Sequence, residues 1–144
     1  DYFRALIRKA ASECGDKGQG RVGVIGMCLT GNFAITLIAE PDVNAAIAAQ
    51  PSLPIRNETA LHMSDAEFSA VKAKVKEMGK DALIGIKYEG DPLCPNARFE
   101  RLKAELGDGF TPIVLPGNQH ATLTEDLDQG ALGKSLGYLK AQLL

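Results

Sequence analysis

Apolar positions recur along this chain in two alternating rhythms, and the alternation predicts an α/β fold. Residues 1–14 place Phe3, Leu6, Ile7 and Ala10 three and four apart with Arg4, Arg8 and Lys9 between them, the spacing of an amphipathic helix. Residues 15–20 follow as a flexible, glycine-rich turn. The apolar run Val22–Ile25 reads as a strand that ends at Gly26. A helical pattern then starts at Gly31, carries Phe33, Ala34, Leu37 and Ile38, and runs to about Glu40, where Pro41 stops it. Val43–Ala49 is the next strand, although its alanines are weak strand formers. Residues 55–63 show no period and are expected to form a loop over the end of the sheet where ligands bind. Ser64 and Glu67 make a capping-box signature ahead of a helix with Phe68, Val71, Val75 and Met78 on one face, closed by Gly79. Residues 82–88 read as a buried strand, Asn96–Leu106 as a helix with Phe99, Leu102 and Leu106 inward, and Thr111–Leu115 as the last strand. The loop 116–121 leads to a closing helix over 126–144, its apolar side formed by Leu132, Leu136, Leu139 and Leu143. Such alternation predicts a mostly parallel sheet flanked by helices.

Composition narrows what the fold is for. With 144 residues, 45% of them hydrophobic, the chain can bury one core and is expected to be one domain over 1–144. A net charge of −2 gives no pull towards nucleic acid or an anionic membrane. No apolar stretch approaches the roughly 18 residues of a membrane span, and the N-terminus lacks a signal-peptide pattern. A soluble, cytoplasmic protein is therefore expected. Cys14, Cys28 and Cys94 make an odd count without metal-ligand spacing, which argues against a disulfide framework or a zinc site and suits a reducing compartment.

The candidate chemistry begins at Gly26-x-Cys28-x-Thr30-Gly31, between the first strand and the helix after it. A strand, a sharp turn and a helix with a nucleophile on the turn read as a nucleophile elbow, with cysteine where serine is commoner. Sulfur at a helix N-terminus is favoured as thiolate by the unpaired N–H groups and the helix dipole. A cysteine in apolar surroundings is more often simply core; the spacing reverses that order for Cys28, whereas Cys14 and Cys94 read as inert thiols. Two histidines are present. His120, in a loop after the last strand, is the favoured general base, and His62, read as a surface or lid residue, is the alternative. Asp91 lies in a Gly-Asp-Pro turn after a buried strand, where it is either a turn former or the carboxylate that orients the imidazole. Glu89 and Asp108 are its competitors, both read as solvated. The backbone N–H of Leu29, next to the nucleophile, is the expected oxyanion donor.

On Val22–Gly31, Glu89–Pro95 and Gly117–His120, the chain resembles the dienelactone hydrolases of the α/β-hydrolase fold. In that family a Cys, an Asp and a His occur in this order, each at the C-terminal end of a strand, and form the catalytic triad. The resemblance implies these roles for Cys28, Asp91 and His120, and hydrolysis of a small-molecule ester or lactone through a thioester acyl-enzyme, with no metal or organic cofactor. Thr30 stands where the family usually has glycine. Arginines bind the carboxylate of the charged dienelactone in that family. The one shortly after the histidine has no counterpart in Ala121–Thr124, so a general ester or lactone is the implied substrate. The family carries several strands ahead of its elbow, whereas only residues 1–21 precede the elbow strand here. The chain is therefore expected to correspond to the C-terminal part of that fold, with the second oxyanion donor in the part it lacks. The rival reading is a catalytically incomplete binding or assembly module, whose open sheet edge pairs with another copy or another chain. A flavodoxin-like nucleotide binder ranks last, because Met27 and Cys28 stand where backbone should approach phosphate.

Overall fold

The computed structural model describes residues 2–18, 20–55 and 57–144. Four strands, β1 (Val22–Met27), β2 (Val43–Ala49), β3 (Leu83–Tyr88) and β4 (Phe110–Leu115), form a parallel sheet in the order β1-β2-β3-β4. The helices α1 (Tyr2–Gly18), α2 (Gly31–Leu37), α3 (Asp65–Met78), α4 (Asn96–Leu106) and α5 (Gln129–Leu143) alternate with them. The expected α/β architecture is therefore the observed one. Among the described residues no helix is long and apolar enough to cross a membrane.

Two layers of helices cover the sheet, and the period-2 alternation of the strands serves both. On one face, Ala46, Ala48 and Leu83 pack with Ile7 of α1, Ile35 of α2, Phe68, Val71 and Val75 of α3, and Phe99 and Leu102 of α4. On the other, Ile47, Ile84, Ile86 and Leu115 pack with Ala131, Tyr138 and Leu139 of α5. This double burial explains β2: alanines with little intrinsic strand preference form a strand because parallel strands are covered on both faces and burial outweighs propensity.

Local signals set most of the boundaries. The Ser64 hydroxyl accepts from the Glu67 N–H at 3.2 Å and the Glu67 carboxylate accepts from the Ser64 N–H at 2.9 Å, so α3 starts at the expected capping box. Three details differ from the pattern-based reading. First, α1 continues to Gly18 rather than ending at Cys14. Gln19 of the expected turn lies outside the described residues, and Gly20 adopts a left-handed φ of +73°. Second, α2 ends at Leu37 rather than near Glu40, because the next N–H groups bond three residues back, Ala39 to Thr36 and Glu40 to Leu37. Third, α5 begins at Gln129, where the Asp128 carboxylate accepts from the Ala131 N–H at 2.7 Å. It presents Ala131 and Ser135 to the sheet and leaves Leu136 57% exposed. Tyr138 sets that rotation: its hydroxyl donates to the Ala82 carbonyl at 2.6 Å and accepts from the Ala46 N–H at 3.1 Å.

Candidate active site

Parallel pairing decides where the chemistry can gather. The registers Met27↔Ala49, Ala49↔Ile86 and Tyr88↔Leu115 end all four strands at one edge of the sheet. The segments that follow carry Cys28, Ser52, Asp91 and His120, so residues far apart in the chain meet at that edge.

The turn after β1 is a nucleophile elbow in its backbone. Cys28 has φ +53°, in the left-handed region that non-glycine residues rarely adopt. It opens a short 3-10 turn, Cys28–Thr30, that runs straight into α2. The flanking glycines are required by space. A Cβ on Gly26 would lie 2.0 Å from the Thr30 carbonyl oxygen, and one on Gly31 would lie 2.9 Å from both the Ala49 oxygen and the Pro51 Cα. Thr30 needs no glycine's freedom: it has ordinary helical angles, and its hydroxyl donates to the Met27 carbonyl and accepts from the Met27 N–H, each at 2.9 Å. That hydroxyl closes the turn on itself.

Asp91 and His120 are brought together on two loops. The Glu89 N–H donates to the Leu115 carbonyl and the Gly90 N–H to the Gly117 carbonyl, each at 2.8 Å, which laces the loop after β3 to the loop after β4. Asp91 is buried. One carboxylate oxygen accepts from the Leu93 and Cys94 N–H groups at 2.9 and 3.3 Å, and the other bonds His120 Nδ1 at 2.7 Å. One oxygen of Asp91 thus closes its turn, and the other faces the imidazole. The His120 and Ala121 N–H groups donate in turn to the Asp126 carboxylate, which fixes the histidine's backbone. His120 Nε2 is buried and makes no hydrogen bond among the described residues.

The sulfur and the imidazole shift each other's titration in opposite directions. Burial pushes the Cys28 thiol up, but the Ser52 hydroxyl, the nearby His120 imidazole and the Leu29 N–H leave its pKa below the ordinary value. Burial pushes His120 down, and the nearby Cys28 sulfur and the Asp91 carboxylate bonded to it more than offset this, so its pKa lies above the ordinary value. Both shifts favour a thiolate beside an imidazolium.

The other candidates lie elsewhere. His62 is exposed and stacks near Phe33, 6.5 Å between ring centroids, on the outer side of α2. Glu89 is exposed, and Asp108 pairs with Lys103 at 3.6 Å beside the N-terminal end of β4. Cys14 is exposed on α1, whereas Cys94 is buried and its thiol is pushed up to about 12 by that burial. No cluster able to hold a metal ion occurs among the described residues. Sequence reasoning missed Ser52, whose hydroxyl lies 3.3 Å from Cys28 Sγ, and Thr122, which donates to the buried Gln50 side chain at 2.6 Å and ties the histidine loop to the end of β2. The available signal was topological: both follow the C-terminal end of a strand.

Comparisons with known proteins agree with this fold. The model of the dienelactone hydrolase family matches residues 1–131. Among solved structures, the Pyrococcus furiosus esterase Pf2001 superposes with a TM-score of 0.63 at 16% identity, over 98% of this chain and 62% of the esterase. Acetyl xylan esterase 1 from Thermoanaerobacterium sp. JW/SL YS485 gives 0.60 at 15% identity, over 96% of this chain and 52% of the esterase. The chain thus spans less than two thirds of the length of either. No curated protein matches it in sequence.

Proposed function

The chain belongs to the dienelactone hydrolase family, and on that premise we propose that it hydrolyses a carboxylic ester or lactone through Cys28, His120 and Asp91. The observation that carries this reading is the arrangement at the strand ends: a cysteine on a left-handed elbow, and a histidine held at 2.7 Å by a buried carboxylate with its other nitrogen unpaired. In this mechanism the thiol proton passes to His120 Nε2 and the thiolate attacks the substrate carbonyl. The tetrahedral oxyanion takes the Leu29 N–H as a donor. It collapses to a thioester as the leaving alcohol takes the proton from His120. Water, deprotonated by His120, then attacks the thioester and releases the acid. Asp91 holds the imidazole in the tautomer with Nε2 free and stabilises its charged form. The second oxyanion donor of elbow enzymes comes from a loop after an earlier strand. Among the described residues β1 is the first strand, so hydrolysis is proposed here with one identified donor. No metal or organic cofactor enters the scheme. We place the chain in the cytoplasm as a single domain, where its three cysteines remain free thiols.

The test is hydrolysis of p-nitrophenyl acetate by the chain beside its Cys28→Ala variant, with intact mass recorded during turnover. Activity lost in the variant and an acetyl adduct on the parent support the reading. Equal rates in the two folded proteins refute it.

One observation favours the assembly reading. β1 is an edge strand whose Ile25 is 53% exposed, beside an apolar groove lined by Phe3, Leu6 and Phe33. In this reading the β1 edges of two copies pair. A dimer in sedimentation that Ile25→Lys dissociates supports it, and a monomer at high concentration excludes it.

A further inference from the structure

The segment that follows β2 is held against the nucleophile more firmly than a connecting loop requires. Gln50 turns the chain with φ +36° and its N–H donates to the Ile86 carbonyl at 2.6 Å. The next residues are then gripped one after another. The Pro51 carbonyl accepts from Arg98 Nη1 at 2.5 Å. The Ser52 N–H donates to the Cys28 carbonyl at 3.2 Å. Leu53 donates its N–H to Asn32 Oδ1 at 2.9 Å and accepts from Asn32 Nδ2 at 2.7 Å. Asn32 and Arg98 are both fully buried. Asn32 belongs to α2, the helix the elbow leads into, and Arg98 to α4, the helix after the Asp91 loop.

Arg98 has no carboxylate partner among the described salt bridges. It spends its donors on backbone: Nε to the Ala60 carbonyl at 3.0 Å, and Nη2 to those of Pro54 and Asn57 at 2.9 and 3.3 Å, besides Pro51. A guanidinium taken out of water is costly unless its hydrogen bonds are satisfied, and here four carbonyls of one loop satisfy it. The residue at the centre of this clamp is Ser52. It is 4% exposed, and the one hydrogen bond of its hydroxyl among the described residues is to Cys28 Sγ at 3.3 Å.

We propose that Ser52 is a further catalytic residue, its hydroxyl donating to Cys28 Sγ and holding it as the thiolate, and that Arg98 is the positioning residue that keeps Ser52 there. This rests on the assignment of Cys28 as nucleophile. Once the sulfur's proton has passed to His120 Nε2, the Ser52 O–H supplies a hydrogen bond that a neutral sulfur accepts only weakly. When the thiolate attacks, its electron pair becomes the carbon–sulfur bond and that hydrogen bond is lost. When water has added to the thioester and the bond breaks, the pair returns to sulfur and the bond is regained. Ser52 therefore favours both formation of the reactive thiolate and its departure in deacylation.

The experiment is the pH dependence of Cys28 alkylation by iodoacetamide, read by mass per site, in the parent, Ser52→Ala and Ser52→Thr. Thermal melts confirm that each protein is folded. A parent midpoint below that of an ordinary thiol, raised by about one pH unit in Ser52→Ala and restored in Ser52→Thr, supports the proposal. At pH values below both midpoints the rise corresponds to alkylation about tenfold slower. A depressed parent midpoint that Ser52→Ala leaves in place overturns the role of Ser52 and spares the nucleophile. A parent midpoint at the ordinary thiol value overturns the nucleophile itself. For Arg98, a double-mutant cycle decides: Arg98→Lys raises the midpoint in the parent background and adds nothing in Ser52→Ala if it acts through Ser52. Equal shifts in both backgrounds overturn its positioning role.

Discussion

Replacing Gly26 by alanine should damage the elbow out of proportion to the single methyl added. The new Cβ would lie 2.0 Å from the Thr30 carbonyl oxygen, 2.6 Å from its carbon and 3.0 Å from the Ala34 Cβ. Ordinary contact begins near 3.4 Å, so the carbonyl has to withdraw by about 1.4 Å. The obstacle is the backbone of the turn that holds Cys28, so no change of rotamer relieves it. Overpacking of this kind costs about 1–3 kcal/mol, and a backbone obstacle puts it near the upper value, a fall in Tm of roughly 10 °C for a chain of this size. Withdrawal of the Thr30 carbonyl drags the 3-10 turn with it, and a nucleophile misplaced by about 1 Å costs around a hundredfold in rate. The assay pairs a thermal melt with Cys28 alkylation and p-nitrophenyl acetate hydrolysis, both well below the variant's Tm. The control is Gly133→Ala on α5, where a Cβ meets nothing within 4 Å; helix propensity alone should leave its Tm unchanged or raise it. A Gly26→Ala protein that melts within about 2 °C of the parent and alkylates at the parent's rate would refute the close packing of the turn.

Three further outcomes follow from the same geometry. Hydrolysis should rise with pH as Cys28 deprotonates through its lowered pKa and fall as His120 deprotonates through its raised one. Asp91→Asn removes one cause of the raised His120 value, so the alkaline limb of the pH–rate profile should move to lower pH; an unmoved limb would show that Asp91 does not set the imidazole's titration. The signs for stability are opposite. His120 contributes stability fully below its ordinary pKa and loses it as pH rises through the raised value, whereas Cys28 contributes above its ordinary value and loses it as pH falls through the lowered one. Urea melts of His120→Ala and Cys28→Ala across pH check both, and a pH-independent difference from the parent contradicts them. Ser64→Ala removes the N-cap of α3 and should cost about 1 kcal/mol, a few degrees of Tm. It should leave Cys28 alkylation unchanged, and slowed alkylation would couple α3 to the site in a way this fold does not provide.

The parts of the fold that sequence made legible are those whose cause is local. The elbow could be read because close approach of Thr30 and Ala49 to residues 26 and 31 tolerates only glycine, and that requirement is written at fixed spacing around Cys28. The capping box could be read because Ser64 and Glu67 satisfy each other within one turn. Asp91 and His120 were legible as the ends of successive strands, since a parallel sheet must deliver such ends to one edge. The rotation of α5 was not, because leucine spacing assigns an apolar side while a tyrosine hydroxyl bonded to two strands selects the side used. Ser52 and Arg98 were hidden for a deeper reason. Ser52 meets Cys28 across 24 positions, and Arg98 binds carbonyls 38 to 47 positions away. A carbonyl belongs to every residue, so its role as a partner leaves no mark on side-chain pattern. An arginine on a helix reads as solvated for that reason, and only the folded loop shows that its charge is spread over backbone dipoles. What topology does supply is a restriction: in this sheet, the polar residues gathered near Cys28 come from the segments just past the C-terminal ends of strands. Applied evenly, that rule points to the stretch after β2 as strongly as to the loops after β3 and β4. Of the two buried polar residues there, Gln50 and Ser52, Ser52 is the one whose hydroxyl reaches the sulfur.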